Sequence, residues 1–345
     1  MSQAEYLETN FLRYPPVGSE DWEYAFEASR VRVLETAMID KSVFVDMANA
    51  ESFEAALEML AGSDYAVSGA VSNFEEIETL LLERRSEARR NFVELIRNDS
   101  IAEMLRARED FANMRLAVRR VVTDRPIGVD YSDDGGVPAS EFDEIFEQED
   151  YSRFPGYLQN GVVAAVLAYY PEKDIREIDY AIDRIEFEYR HDKADELGSV
   201  FLESLVKMQI DLNNIRTMLR LKMAGREETC HFIKGGFLPT KRFIHGLDLG
   251  FEGLPPLFLA TPYYYIVEGG VNYLNSEKSF LGLEMLCESH TKGFLRSTKT
   301  ITSGPQPVIA YLLLKEIEIR TIRMVLSCKK NGLDAKPILD RLSEN

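Results

Sequence analysis

Two short motifs in this 345-residue chain have the spacing of a metal site. Glu188-Tyr189-Arg190-His191 and Glu228-Thr229-Cys230-His231 each set a carboxylate and an imidazole three residues apart, on one face if the segment is helical. Two such pairs, met by two further glutamates from facing helices, would make a di-iron carboxylate centre in a helical bundle. The surroundings argue otherwise. Glu228–His231 follows Ala224-Gly225 and precedes Gly235-Gly236, so it reads as a connection. Glu188–His191 lies among Glu186, Arg190, Asp192 and Lys193, which reads as a solvated face. A di-iron enzyme is therefore the least favoured reading, and no metal is expected.

Other chemistry finds no foothold. The sequence contains no G-x-x-x-x-G-K-[ST], no H-E-x-x-H, no nucleophile elbow and no kinase signature. Its three cysteines, Cys230, Cys287 and Cys328, are odd in number and far apart. They suggest neither a disulfide framework nor a metal knuckle, and fit a reducing compartment. Cys287 and Cys328 have apolar neighbours and read as small hydrophobes. Tyr263-Tyr264-Tyr265 reads as core or interface filling. No catalytic residue and no cofactor follow.

Fifty-eight acids against forty bases give a net charge of −18, which excludes a nucleic-acid or anionic-lipid binder. The excess is uneven: residues 1–200 carry −22 and the remainder +4. Between Arg125 and Arg153 stand nine acids and no base, among them Asp130, Asp133, Asp134, Glu141, Asp143, Glu144 and Glu147. Such a run reads as a solvated face or as a docking surface for a basic partner. The start, MSQAEYLETN, lacks the basic and apolar regions of a signal peptide. Gly253–Val267 carries no charge but is interrupted by prolines, and is too short to span a bilayer. The expectation is a soluble protein that meets a membrane only through a partner.

The elements that would position these residues are helices. Apolar residues recur every three to four positions in Phe53–Leu60, Ile77–Leu82, Phe92–Val118, Ile175–Ile185, Val200–Leu221 and Val308–Leu326. Strand alternation is nearly absent, so the class is all-α. Ser72 and Ser303 read as helix starts and Asn331-Gly332 as a stop. Self-similarity is the stronger signal. DFANMRLAVRR from Asp110, DLNNIRTMLRL from Asp211 and EIRTIRMVLSC from Glu318 superimpose at offsets of 101 and 107 residues. Glu76-Ile77, Glu177-Ile178 and Glu284-Met285 obey the same offsets, and GGVPASEF from Gly135 answers GGFLPTKRF from Gly235 at 100. The chain divides into an N-terminal segment and helix, 1–39, and three pseudo-equivalent helical units, 40–130, 131–230 and 231–345.

Within each repeat the acid and the arginine are five residues apart, about 140° around a helix, so they face different neighbours. Each acid has a base within one turn (Arg106, Lys207, Lys315), the pattern of helix-surface pairing. Arg115, Arg216 and Arg323 have no acid three or four positions away and should find partners on neighbouring helices. Glu76, Glu177 and Glu284 lie 39 residues upstream of them. The expectation is a glutamate–arginine pair across two packed helices in each unit, fixing register more than adding stability.

These motifs add up to a resemblance. YAFEASRVRVLE (Tyr24–Glu35), the DLNNIRTMLR segment and GPQPVIAYLLLKEIEIRTIR (Gly304–Arg323) resemble the family of C subunits of V-type/A-type ATPases, whose eukaryotic V-ATPase members are called d subunits. The Gly304-Pro305-x-Pro307 turn leading into Ala310-Tyr311-Leu312, Lys315-Glu316 and Glu318-Ile319 is the most specific part. The resemblance covers almost the whole chain and implies an all-helical funnel with pseudo-threefold symmetry. It implies a noncatalytic central-stalk component, peripheral on the cytoplasmic side of the membrane. There it would join the central shaft, made of the D and F subunits, to the membrane proteolipid ring and couple ATP hydrolysis or synthesis to proton or sodium-ion transport. The acidic run 130–150 is then a candidate shaft contact, and Gly253–Val267 a possible ring contact. A helical-repeat scaffold of unrelated partnership is the main alternative.

Overall fold

The computed structural model describes residues 13–66, 74–123 and 131–342. Among them every regular element is helical: fourteen α-helices joined by short 3₁₀ turns. The first, α1 (Ala25–Glu35), is followed by three successive sets of four. These are α2 (Lys41–Asn49), α3 (Phe53–Glu58), α4 (Phe74–Leu95) and α5 (Asp99–Thr123); then α6 (Ala139–Gln148), α7 (Gly156–Tyr169), α8 (Ile175–Glu196) and α9 (Val200–Met223). The third set is α10 (Thr240–Asp248), α11 (Tyr264–Glu277), α12 (Leu281–Ser297) and α13 (Pro305–Lys330), with α14 (Ala335–Arg341) closing the chain. Each set opens on a helix of 9 or 10 residues and ends on one of 24 to 26.

Local chemistry sets the ends. The expected stretch Phe92–Val118 is two helices, because the Asn98 carboxamide accepts the Ser100 N–H at 3.0 Å and starts α5 afresh. Asp174 accepts the Arg176 N–H to open α8, and Ser199 accepts the Leu202 N–H to open α9. Pro305 occupies the first turn of α13, where its missing N–H costs nothing. Ser303 is not the cap expected of it: its hydroxyl donates to the Asp21 carbonyl at 2.6 Å and ties down the segment before α1. Gly332, at φ 70°, takes the left-handed conformation that ends α13 after Asn331. Ser72 lies outside the described residues.

The described residues form two compact units, one within Asn98–Asp248 and the other of the described parts of 13–97 and 249–342. In the first, α5 packs on α6, α7 and α8, and α9 on α8 and α10. Its core gathers Phe111, Met114, Phe142, Ile145, Phe154, Leu158 and Ile182. Helix α9 is buried on most of its circumference, and Ser204, Asp211, Asn214 and Thr217 are buried along with its apolar residues. In the second unit α13 has that role and packs against α1, α2, α3, α4 and α12. Its core includes Met47, Phe53, Tyr65, Ile77, Ile322 and Val325.

One packing rule recurs. The long last helix of a set lies on the short first helix of another: α5 on α6, α9 on α10 and α13 on α2. It also meets a third helix, α5 on α8 and α13 on α4.

Candidate functional site

The repeated acid is not a surface residue. Asp110 and Asp211 are fully buried, where the spacing to Arg106 and Lys207 suggested solvated pairs. Asp110 accepts the N–H groups of Gly136 and Val137 at 2.9 and 3.0 Å and the Tyr157 hydroxyl at 2.8 Å. Asp211 accepts those of Phe237 and Leu238, both at 3.1 Å. Glu318 accepts the Ile39 N–H and the Tyr65 hydroxyl, both at 2.7 Å, and here the expected lysine pair, to Lys315 at 2.8 Å, does form. In all three copies a carboxylate on a long helix latches the loop ahead of a short helix. Backbone N–H groups that would otherwise be buried unpaired demand such an acceptor.

Gly135 and Gly236 are required by this close approach, since a Cβ at either would collide with Oδ1 of the latch aspartate. Each glycine follows its aspartate by 25 residues, so the structural offset is 101, the offset of the helices. The spacing of 100 read from the Gly-Gly pairs is one residue out of register. Gly236→Ala should cost about 1–3 kcal/mol by displacing the Asp211 carboxylate, measured as a lower urea midpoint.

Asn113 and Asn214 did not stand out in the sequence, though each lies three residues after a latch aspartate. Asn113 exchanges two hydrogen bonds with the Ser132 backbone, and Asn214 does the same with Ile233, at 2.8–2.9 Å. The shared Asp-x-x-Asn spacing was the available signal.

Two of the repeated arginines, Arg115 and Arg323, reach acids on other helices. Arg115 on α5 meets Asp183 at 2.5 Å and Asp179 at 3.8 Å on α8, and Arg119 pairs with Asp179. Burial of the Asp183 carboxyl pushes its pKa up, against the pull of Arg115. Arg323 on α13 meets Glu78 on α4 at 2.6 Å, and Arg89 meets Glu316 at 2.6 Å along the same seam. Asp179 and Glu78 each lie two residues past a repeat glutamate, Glu177 and Glu76. Glu177 itself holds Arg226 at 3.0 Å and faces His231 at 3.6 Å.

The metal motifs are not brought together as a ligand set: no group of three or more His, Cys, Asp or Glu able to hold a metal occurs among the described residues. His231 stacks on Tyr180, 4.2 Å between centroids, and burial pushes its pKa down. Glu188 is exposed as expected, but Arg190 is buried, bonded to Gln209 and 3.5 Å from Glu186. Loss of hydration pulls its pKa down to about 10.

Asp130 lies outside the described residues. Of the rest of the acidic run, Asp133 accepts the Ala139 N–H at the start of α6, and Asp143 accepts the Tyr131 hydroxyl. Glu144 holds Arg153 at 2.9 Å, with Glu141 3.9 Å from the same guanidinium. That contact lowers the Glu144 pKa. Asp143, Glu144, Glu147, Glu149 and Asp150 are exposed, while Asp133 and Asp134 sit in the turn before α6. In Gly253–Val267, Leu254, Phe258 and Tyr263 are buried, whereas Leu259 and Tyr265 face solvent. Cys287 is buried and Cys230 exposed. No helix among the described residues is long and apolar enough to cross a membrane.

The sequence pattern of the ATP synthase (C/AC39) subunit family matches residues 28–341. The chain is similar to the C subunit of the V-type sodium ATPase of Enterococcus hirae, 21% identical over 91% of this chain and 96% of the relative. It is 23% identical to the C subunit of the A-type ATP synthase of Thermococcus gammatolerans, over 93% and 90%. It is 22% identical to the C subunit of the V-type ATP synthase of Thermus thermophilus, over 70% and 76%.

Proposed function

The chain belongs to the ATP synthase (C/AC39) subunit family and is a noncatalytic component of a rotary V/A-type ATPase; from that premise we propose that it is the socket joining the central shaft to the membrane proteolipid ring. In this reading the shaft is the pair of D and F subunits, and the chain sits peripherally on the cytoplasmic side. It couples ATP hydrolysis or synthesis to proton or sodium-ion transport by carrying torque. The three units 40–130, 131–230 and 231–345 form a funnel with pseudo-threefold symmetry behind the segment 1–39.

One observation carries the reading. The latch carboxylates Asp110 and Asp211 each hold the loop before the next short helix, α6 and α10, and Glu318 holds the loop before the first one, α2. The last set thereby holds the first as the other two hold their successors, which supports the threefold reading. A torque carrier needs such stiffness, because a body that deforms stores work instead of transmitting it. We assign Glu76, Arg115, Glu177, Arg216, Glu284 and Arg323 to the register of the helices in that arrangement.

Membranes stripped of the chain should hydrolyse ATP without ion transport, and resupplying it should restore transport. Unchanged transport in its absence would sink the reading. We further assign Asp130, Asp133, Asp134, Glu141, Asp143, Glu144 and Glu147 to a contact with a basic shaft tip. Neutralising Glu141, Asp143, Glu144 and Glu147 together to Gln or Asn should weaken binding of the D shaft protein at least tenfold at low salt and flatten its salt dependence.

A further inference from the structure

Helix α7 presents an outer face that its own unit does not cover. Residues 154–171 contain no charged side chain, a longer uncharged run than Gly253–Val267. Leu158, Gly161, Val162 and Ala165 are buried where α7 lies on α5 and α8. Gly161 lets the backbone come close, since a Cβ there would meet the Met114 methyl at 2.6 Å. The opposite face carries Val163, Leu167 and Tyr170, which are 55%, 69% and 64% exposed. Their spacing of four and three residues holds them within a sector of about 60°. Single exposed hydrophobes are ordinary, but three in line on an uncharged helix form a patch that asks for a partner.

The stripe has a charged border. The 3₁₀ turn Tyr151–Arg153, which directly follows Glu149 and Asp150, packs on both α6 and α7. Tyr151 packs edge-on against Phe146 of α6, 5.2 Å between centroids. The apolar stripe therefore runs into the acidic ridge of Glu144, Glu147, Glu149 and Asp150. Arg153 answers Glu144 and Glu141, and Lys173 lies beyond Tyr170, yet acids outnumber bases there. That sign disfavours a lipid surface, whose anionic headgroups the ridge would repel. At 14 residues α7 is about 21 Å long, short of a roughly 30 Å hydrocarbon core.

We propose that Val163, Leu167 and Tyr170, with the acidic ridge of Glu147, Glu149 and Asp150, form one docking surface for a basic amphipathic helix of the shaft. The partner helix lays apolar residues at i, i+4 and i+7 along α7 and sets Lys or Arg over Glu147 and Glu149. The apolar seat supplies the affinity, and the ridge supplies encounter rate and polarity. This rests on the chain being a rotary-ATPase component and extends the acidic contact to an apolar one.

The test uses the full chain with the purified D shaft protein and the assembled complex. Leu167→Glu should weaken binding of that shaft protein at least tenfold, while Leu82→Glu, at an exposed position on α4, should leave it unchanged. Glu147→Gln with Glu149→Gln should reduce the salt dependence of association. A p-benzoyl-phenylalanine photo-crosslinker at position 167 should join the shaft within a helical segment bearing Lys or Arg. Wild-type affinity in Leu167→Glu, or a crosslink to the ring instead, overturns this proposal and leaves the family reading standing. Failure of the wild-type chain to bind both shaft and ring overturns the socket reading as well.

Discussion

Asp211→Ala is expected to destabilise the chain by about 3–5 kcal/mol, read as a shift of urea unfolding followed by circular dichroism. The Asp211 carboxylate accepts the Phe237 and Leu238 N–H groups in a site closed to water. Hydrogen bonds to a charged acceptor contribute about 1.5–3 kcal/mol each, and alanine leaves both donors buried and unpaired. Asp211→Asn keeps one acceptor oxygen and should lose roughly half as much. The same substitution at Asp110 strands Gly136, Val137 and the Tyr157 hydroxyl. Desolvation there raises the Asp110 pKa, while the bonds from Val137, Tyr157 and Gly136 pull it back. A loss below about 1 kcal/mol in Asp211→Ala would mean that the loop finds other acceptors, and the latch would be incidental.

The second large effect is acid sensitivity through His290. This residue of α12 is packed between Tyr14, 5.2 Å between centroids, and Tyr263, 5.6 Å. Its Nε2 has no hydrogen-bond partner. Burial first, and the Arg13 charge second, push its pKa down to about 4 from an ordinary 6.5. The folded form therefore prefers neutral imidazole, so the unfolded chain binds the extra proton as pH falls. Stability from this group is complete above pH 6.5 and declines as pH drops toward 4. Between pH 7 and pH 5 the wild type should lose about 2 kcal/mol more than His290→Phe, which keeps an aromatic ring without the proton site. Parallel stability curves for the two proteins across that interval would refute it. Because Tyr14 fills the space that Gly293 leaves beside His290, the segment before α1 should loosen first. Trp22 fluorescence can report this.

The helical class and the long helices were legible because both rest on local periodicity. The family was legible too, through the Gly304–Arg323 segment. Misreadings arose where one local pattern had two possible outcomes. Asp110 and Arg106, four residues apart, look like a surface pair, and only the arrival of Gly136 and Val137 makes the aspartate a buried acceptor. Arg190 looks solvated among its charged neighbours in sequence, yet Gln209 of α9 packs over it. The uncharged run 154–171 could equally have been a fully buried helix.

By itself the sequence determined which segments are helices, which family they belong to and where negative charge accumulates. It could do so because helix formation and charge are properties of neighbouring residues. Only the tertiary structure decided the partners. Asp211 and Leu238 are 27 residues apart, Arg115 and Asp183 are 68 apart, and Glu318 and Ile39 are 279 apart. Each pairing depends on which helix covers which, and that choice is made by shape and burial over the whole molecule. For the same reason the exposed face of α7 became visible only once its other face had been packed away.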